Sequence, residues 1–179
     1  LGHSMGGMIV QQMTAQAPGR VQKLILYGTG AHGAMPGRWE SLDTSAERAA
    51  RDGPVATANR IAATWFLHSE AASEYPGCAE IARCSTAQSQ HAGFMAMKGW
   101  SGAEQLAQIQ SETLVIWGEA DRAYPWAQVE QLWRVIPSSH LAVLPDCSHA
   151  VHLERPGLFN RILCEFLARS NGGLAGSAA

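Results

Sequence analysis

Three residue types that together make a hydroxyl attack a carbonyl occur in this chain in a set order. Gly2-His3-Ser4-Met5-Gly6 has the G-x-S-x-G spacing of a nucleophile elbow. The spacing has a steric reason. The serine stands on a tight strand-to-helix turn, so the positions two before and two after it must lack bulk. Such a turn lifts the hydroxyl above the sheet edge and points the next helix's free N–H groups at it, which favours a developing anion. Asp121 follows in Gly118-Glu119-Ala120-Asp121-Arg122, and His149 closes Pro145-Asp146-Cys147-Ser148-His149. Serine, acid, histidine is the chain order that accompanies an elbow of this kind.

The roles follow from acid–base chemistry. A serine hydroxyl is a weak nucleophile until a base takes its proton. A histidine near neutral pKa can take that proton and later return it to a leaving group. An ionised aspartate holds the imidazole in the useful tautomer and stabilises its cation. Ser4, Asp121 and His149 are therefore the expected catalytic set, with the Met5 backbone N–H as one oxyanion donor. Glu119, on the same loop, is the rival of Asp121, and Asp146 is a weaker one because it lies three residues before His149. His3 adjoins the nucleophile and is expected at the pocket edge, while His152 is expected to pack or hydrogen-bond before the last helix. His140 begins a strand, and His32, His68 and His91 have no partners at metal-ligand spacing. Glu154 is expected to stabilise the N-terminus of the helix that follows it.

A sheet with flanking helices is needed to hold these residues. From Met5 to Ala17, the residues Met8, Ile9, Gln12, Met13 and Ala17 recur at helical spacing before Pro18-Gly19. Val21 to Tyr27, Thr113 to Trp117 and His140 to Leu144 read as buried parallel strands, each stopped by Gly or Pro. Helices are expected over Trp126–Ile136, with Val129, Leu132, Trp133 and Ile136 inward, and over Pro156–Arg169. In the latter Leu158, Phe159, Ile162, Leu163, Phe166 and Leu167 are expected inward. Alternation of this kind predicts an α/β fold with a mostly parallel sheet. Asp121 and His149 each follow a strand, so both fall on the sheet's C-terminal rim, where such folds place ligands.

One stretch breaks the alternation. Residues 32–110 hold helical runs at Glu47–Asp52, Val55–Leu67 and Ala79–Met97 and no convincing strand. They are expected to form an all-helical cap inserted into a core of residues 1–31 and 111–169, with 170–179 as a disordered Gly, Ala and Ser tail. The cap's Trp39, Trp65, Phe66, Phe94, Met95, Met97 and Trp100 are candidates to line an apolar pocket, with Tyr124 and Trp126 at its border. The chain opens inside the elbow motif, so a preceding strand and oxyanion loop are expected upstream.

Composition narrows the classes of partner. The 179 residues are 46% hydrophobic and 16% charged, as in ordinary globular domains. The 13 basic residues are scattered and the net charge is −2, which argues against nucleic acid or an anionic membrane as partner. Cys78, Cys84, Cys147 and Cys164 form no Cys-x-x-Cys pair and read as free thiols of a reducing cytoplasm, with Cys147 used in packing.

Taken together, Gly-His-Ser-Met-Gly-Gly, Leu-Val-Ile-Trp-Gly-Glu-Ala-Asp and Cys-Ser-His-Ala-Val-His-Leu-Glu-Arg-Pro resemble the α/β-hydrolase superfamily. Within it the chain is similar to the lid-bearing meta-cleavage-product hydrolases and 3-oxoadipate enol-lactonases. The resemblance implies a Ser4, Asp121, His149 triad and no cofactor, and the spacing of the histidines and cysteines predicts no metal site. The resemblance also implies a small carbonyl substrate: an ester, an enol-lactone or a ring-cleavage product split at a C–C bond. A general carboxylesterase, a non-catalytic small-molecule receptor of the same fold and an inactive truncated chain are the other readings.

Overall fold

The computed structural model describes residues 1–169, so the expected tail at 170–179 lies outside the described residues. Four strands, β1 (Gly2–His3), β2 (Lys23–Tyr27), β3 (Glu112–Gly118) and β4 (Ser139–Leu144), pair in parallel in that order. Helix α1 (Met5–Gln16) links β1 to β2. Four helices separate β2 from β3: α2 (Leu42–Asp52), α3 (Pro54–Ala63), α4 (Tyr75–Ala82) and α5 (Ala87–Gly99). Then α6 (Trp126–Val135) crosses from β3 to β4, and α7 (Val151–Glu154) and α8 (Pro156–Ala168) close the described chain. Each crossover returns a strand parallel to its neighbour, as βαβ units require.

The middle of the sheet is buried on both faces, which explains why its strands read as continuous apolar runs. Side chains alternate along β2. Leu24 and Leu26 join Val115, Val129, Leu132 and Ile136 in the core under α6. Ile25 and Tyr27 join Ile116, Leu144, Phe159 and Phe166 in the core under α8. Tyr27, at 1% exposure, still spends its hydroxyl in hydrogen bonds, as a buried phenol must. On α8 only Phe159 and Phe166 are fully inward, while Leu158 and Leu167 are 37% and 51% exposed. The six apolar residues expected inward span more of the helix circumference than one sheet face covers.

Helix α1 also departs from its apolar pattern. Met8 is buried, but Ile9 and Met13 are 53% and 58% exposed and border a groove against α5. Gln11 and Thr14 take their place on the buried side because each has acceptors there. The Gln11 amide donates to Gly7 O and Gly30 O at 3.0 Å, and the Thr14 hydroxyl to Val10 O at 2.8 Å.

The insert leaves and rejoins the core at one neck. Gly102 N–H donates to Ala31 O, Gly33 N–H donates to Trp100 O, and His32 bridges Ser101. The expected helix Ala79–Met97 is two helices, because the chain turns at residues 83–86 and Thr86 caps α5 with a reciprocal Ser89 capping box.

The elbow's glycines are unequal. A Cβ on Gly2 would run into Gly6 O and Val10 Cγ2, and one on Gly7 into the Thr29 side chain, whereas one on Gly6 would meet nothing within 4 Å. The steric demand expected at Gly6 falls on Gly7 instead, where α1 passes closest to the loop after β2. Gly7→Ala should therefore lower stability by roughly 1–3 kcal/mol through overpacking. Chemical denaturation measures it, and an unchanged midpoint would contradict the packing described.

Candidate active site

Ser4 connects β1 to α1 with φ 55° and ψ −125°, a left-handed conformation that costs a non-glycine residue energy. The strain is held from three sides. Ser4 N–H donates to Tyr27 O at 3.0 Å, Gly7 N–H donates to Ser4 O at 2.9 Å, and the Thr29 hydroxyl donates to Ser4 O at 2.7 Å. Met5 is the first residue of α1, so its N–H belongs to the set a helix leaves without an internal acceptor.

Asp121 sits in the turn after β3, with its own N–H donating to Gly118 O at 2.9 Å. Its Oδ1 accepts from the N–H groups of Ala123 and Tyr124 at 2.7 and 3.1 Å. That leaves Oδ2 for the His149 ring, whose Nδ1 lies 2.9 Å away. Both side chains are fully buried. The two carboxylate oxygens thus accept from three N–H groups, which meets the hydrogen-bonding demand of the buried acid. Gly28, at φ +49°, ends β2 beneath this pair, and a Cβ there would stand 3.0 Å from His149 Nδ1.

His149 is fixed by its backbone as well as its ring. Its carbonyl accepts from the Tyr27 hydroxyl at 2.8 Å and from His3 Nε2–H at 3.1 Å. The Tyr27 proton is spent there, so His152 Nδ1, 3.0 Å from the Tyr27 hydroxyl oxygen, is assigned the N–H that donates to that oxygen. The ring lies among His3, Tyr124 and Trp65, with centroids 4.4, 5.6 and 5.9 Å away. Its Nε2 is buried and has no hydrogen-bond partner among the described residues. Ser4 and His149 line the same cavity of about 320 Å³, together with Met5, Arg38, Trp39 and Tyr124.

The rivals of Asp121 lie elsewhere. Glu119 is exposed and accepts from Asp146 N–H, and the Asp146 side chain is 76% exposed, 4.0 Å from Arg155. His140 is half-buried beside Glu112 at 3.4 Å. Glu154 does not serve the helix after it. Its two oxygens accept from Leu67 N–H and Ser148 N–H, each at 2.6 Å, and so tie the insert to the His149 loop. Cys147 is fully buried, and burial pushes its thiol up to about 11. Of the insert's apolar candidates, Trp39, Trp65, Phe94 and Met97 line the cavity. Phe66 is buried at 0% exposure, Met95 is 50% exposed, and Trp100 faces the α1 groove.

Sequence reasoning passed over Arg38, Tyr27 and Thr29. Arg38 sits in a Gly-rich loop with no periodicity to mark it, and the Tyr27 hydroxyl lies within an apolar strand run. Among the described residues no three His, Cys, Asp or Glu side chains gather closely enough to hold a metal ion.

With the geometry established, comparison with known proteins places the fold. Residues 1–156 match the α/β-hydrolase fold family, and the chain belongs to it. A 2-hydroxy-6-oxo-6-phenylhexa-2,4-dienoate hydrolase of Burkholderia cepacia is 35% identical over 72 residues, 40% of this chain and 25% of that protein. A thermophilic esterase of Thermogutta terrifontis superposes with TM-score 0.80 at 25% identity over 93% of this chain and 62% of that one. The enol-lactonase of Burkholderia xenovorans superposes with TM-score 0.84 at 24% identity over 94% of this chain and 64% of that one. The chain thus spans about two thirds of these solved chains and matches a quarter of the curated relative. No helix among the described residues is long and apolar enough to cross a membrane.

The histidine cluster sets a pH dependence. Burial, then the neighbouring His149 and His152, push His3 down from 6.5 to about 2, and burial likewise lowers His152. Between these values the unfolded chain binds a proton that the folded chain refuses, so stability falls as pH drops below about 6.5. The melting temperature should decline between about pH 7 and about pH 5, and His3→Gln should flatten the decline. An equal slope in that variant would remove His3 from the account.

Proposed function

We propose that this chain carries the reacting residues of a serine hydrolase, with Ser4 as nucleophile, His149 as general base and acid, and Asp121 as its orienting partner. One observation carries the reading. The His149 ring has Nδ1 committed to a buried carboxylate and Nε2 unspent, in the cavity that Ser4 also lines. With its proton fixed at Nδ1, the imidazole offers a lone pair at Nε2 to a serine hydroxyl.

The Ser4 Oγ–carbon bond forms while the Oγ proton passes to His149 Nε2, and the carbonyl π electrons move onto oxygen. The Met5 N–H and the positive end of α1 stabilise that oxyanion. The electrons return, the bond to the leaving group breaks, and Nε2 gives its proton to that group. Water then repeats the sequence on the acyl-enzyme, releasing the acid and restoring Ser4. Asp121 stays ionised throughout and stabilises the imidazolium.

The substrate is a small carbonyl compound held under the inserted helices, which act as a cap. Esters and enol-lactones fit these steps directly, and a ring-cleavage product fits once its dienol has become the ketone, so that the departing carbon leaves as a delocalised enolate and is protonated there. The curated relative above is named for the last of these, and the Thermogutta protein is an esterase. Four free cysteines support a cytoplasmic setting.

Hydrolysis of short p-nitrophenyl esters by the purified protein tests the assignment. Ser4→Ala should bring the rate to background, and Asp121→Asn should lower kcat by roughly four orders of magnitude. Undiminished hydrolysis by Ser4→Ala would overturn it.

A further inference from the structure

Asp121 holds one end of His149, the ring Nδ1. One hydrogen bond lets an imidazole pivot about it, and Nε2 swings with the pivot. Taking a proton from a serine hydroxyl requires that nitrogen within hydrogen-bond reach, so the backbone of His149 needs an anchor of its own. Its carbonyl oxygen supplies the point of attachment, and the groups that reach it come from the strand ends that also carry Ser4.

Tyr27 is the last residue of β2 and the register partner of His3. Two contacts follow from that place. Its carbonyl accepts from Ser4 N–H at 3.0 Å, and its side chain, on the α8 side of the sheet, stacks on His3 with ring centroids 4.3 Å apart. Phe159 packs against the same ring at 5.0 Å. The hydroxyl then donates to His149 O at 2.8 Å. It accepts from His152 N–H at 3.2 Å and from His152 Nδ1–H at 3.0 Å. A phenol has one proton and two lone pairs, and each is in use here. Burial pushes the phenol well above its ordinary value, so the proton stays in place. With both lone pairs taken by His152, that proton points to His149 O. A flat, rigid side chain therefore spans from the N–H of the nucleophile to the carbonyl of the base.

We propose that Tyr27 is a positioning residue of the hydrolytic reaction. It acts as a rigid spacer that fixes Ser4 and His149 relative to each other, by holding the backbone N–H of one and the backbone carbonyl of the other. His152 serves it by orienting the hydroxyl. The proposal rests on the hydrolase reading and adds to it a residue that touches neither substrate nor the reacting atoms. His3 Nε2–H, 3.1 Å from the same carbonyl, is a second support. Loss of the Tyr27 hydroxyl therefore loosens His149 without releasing it.

Tyr27→Phe removes the hydroxyl and keeps the ring, its packing and the bond from Ser4 N–H. His152→Ala removes the ring donor from an exposed residue, where the fold tolerates the change. Both are read by the rate and the final extent of fluorophosphonate labelling at Ser4, alongside kcat and KM for a short p-nitrophenyl ester. Tyr27→Phe should label roughly tenfold more slowly and lose kcat by about the same factor, with KM and the final extent at wild-type values. His152→Ala should show the same pattern with a severalfold loss. A merely structural role predicts the opposite split: fewer reactive chains, each reacting at the wild-type rate. That split, or wild-type rates in both variants, overturns the positioning role and leaves the hydrolase reading standing. A wild-type protein that takes no label at Ser4 overturns the hydrolase reading itself, and this role with it.

Discussion

The hydrogen bond between His149 and Asp121 is the contact on which the rest of the structure converges. Both side chains are fully buried at 2.9 Å, and neither would tolerate that burial alone. The surroundings meet every remaining polar demand of the pair except His149 Nε2. Two backbone N–H groups complete Asp121, Tyr27 and His3 hold the His149 carbonyl, and Gly28 leaves the space in which the pair sits. The ends of β2 and β3 and the loop after β4 are thereby locked into one arrangement, with one nitrogen left to act. An atom that a fold leaves unsatisfied at this depth is where its chemistry is to be sought.

The inserted helices belong to the same construction. Trp65 O accepts from Ala150 N–H at 2.8 Å, one residue past His149, and Glu154 bonds both Leu67 and Ser148. The insert therefore shares hydrogen bonds with the loop that carries His149. It also brings positive charge to the cavity. Arg38, Arg48 and Arg60 gather around Glu40, which the hydrogen bonds from Ser45, Arg60 and Arg48 hold below the usual carboxylate range against the effect of burial. Arg48 also reaches Asp52 at 4.0 Å, and of the three arginines Arg38 is the one that lines the cavity.

Much of this was legible in the sequence, for identifiable reasons. The α/β fold announced itself because strands buried on both faces, such as Leu24 to Tyr27, are apolar at every position and end in glycine. The positions of Ser4, Asp121 and His149 were legible because each follows a strand, and strand ends on one sheet converge. Longer-range pairing was not. Gln11 and Thr14 turned α1 through acceptors that periodicity does not see, and Glu154 reached back to Ser148 rather than forward to its helix. The steric burden shifted from Gly6 to Gly7 because Thr29, distant in sequence, packs there. The free His149 Nε2 became notable only when burial showed which polar atoms lacked partners.

The proposed function requires that Ser4 bear the hydroxyl that His149 activates. Brief exposure of the protein to a fluorophosphonate, followed by peptide mass spectrometry, reads this directly. A single adduct on the peptide containing Ser4, much reduced in His149→Ala, is the predicted result. An adduct on Ser85, Ser89 or any serine other than Ser4, or labelling of Ser4 that proceeds equally without His149, would contradict it.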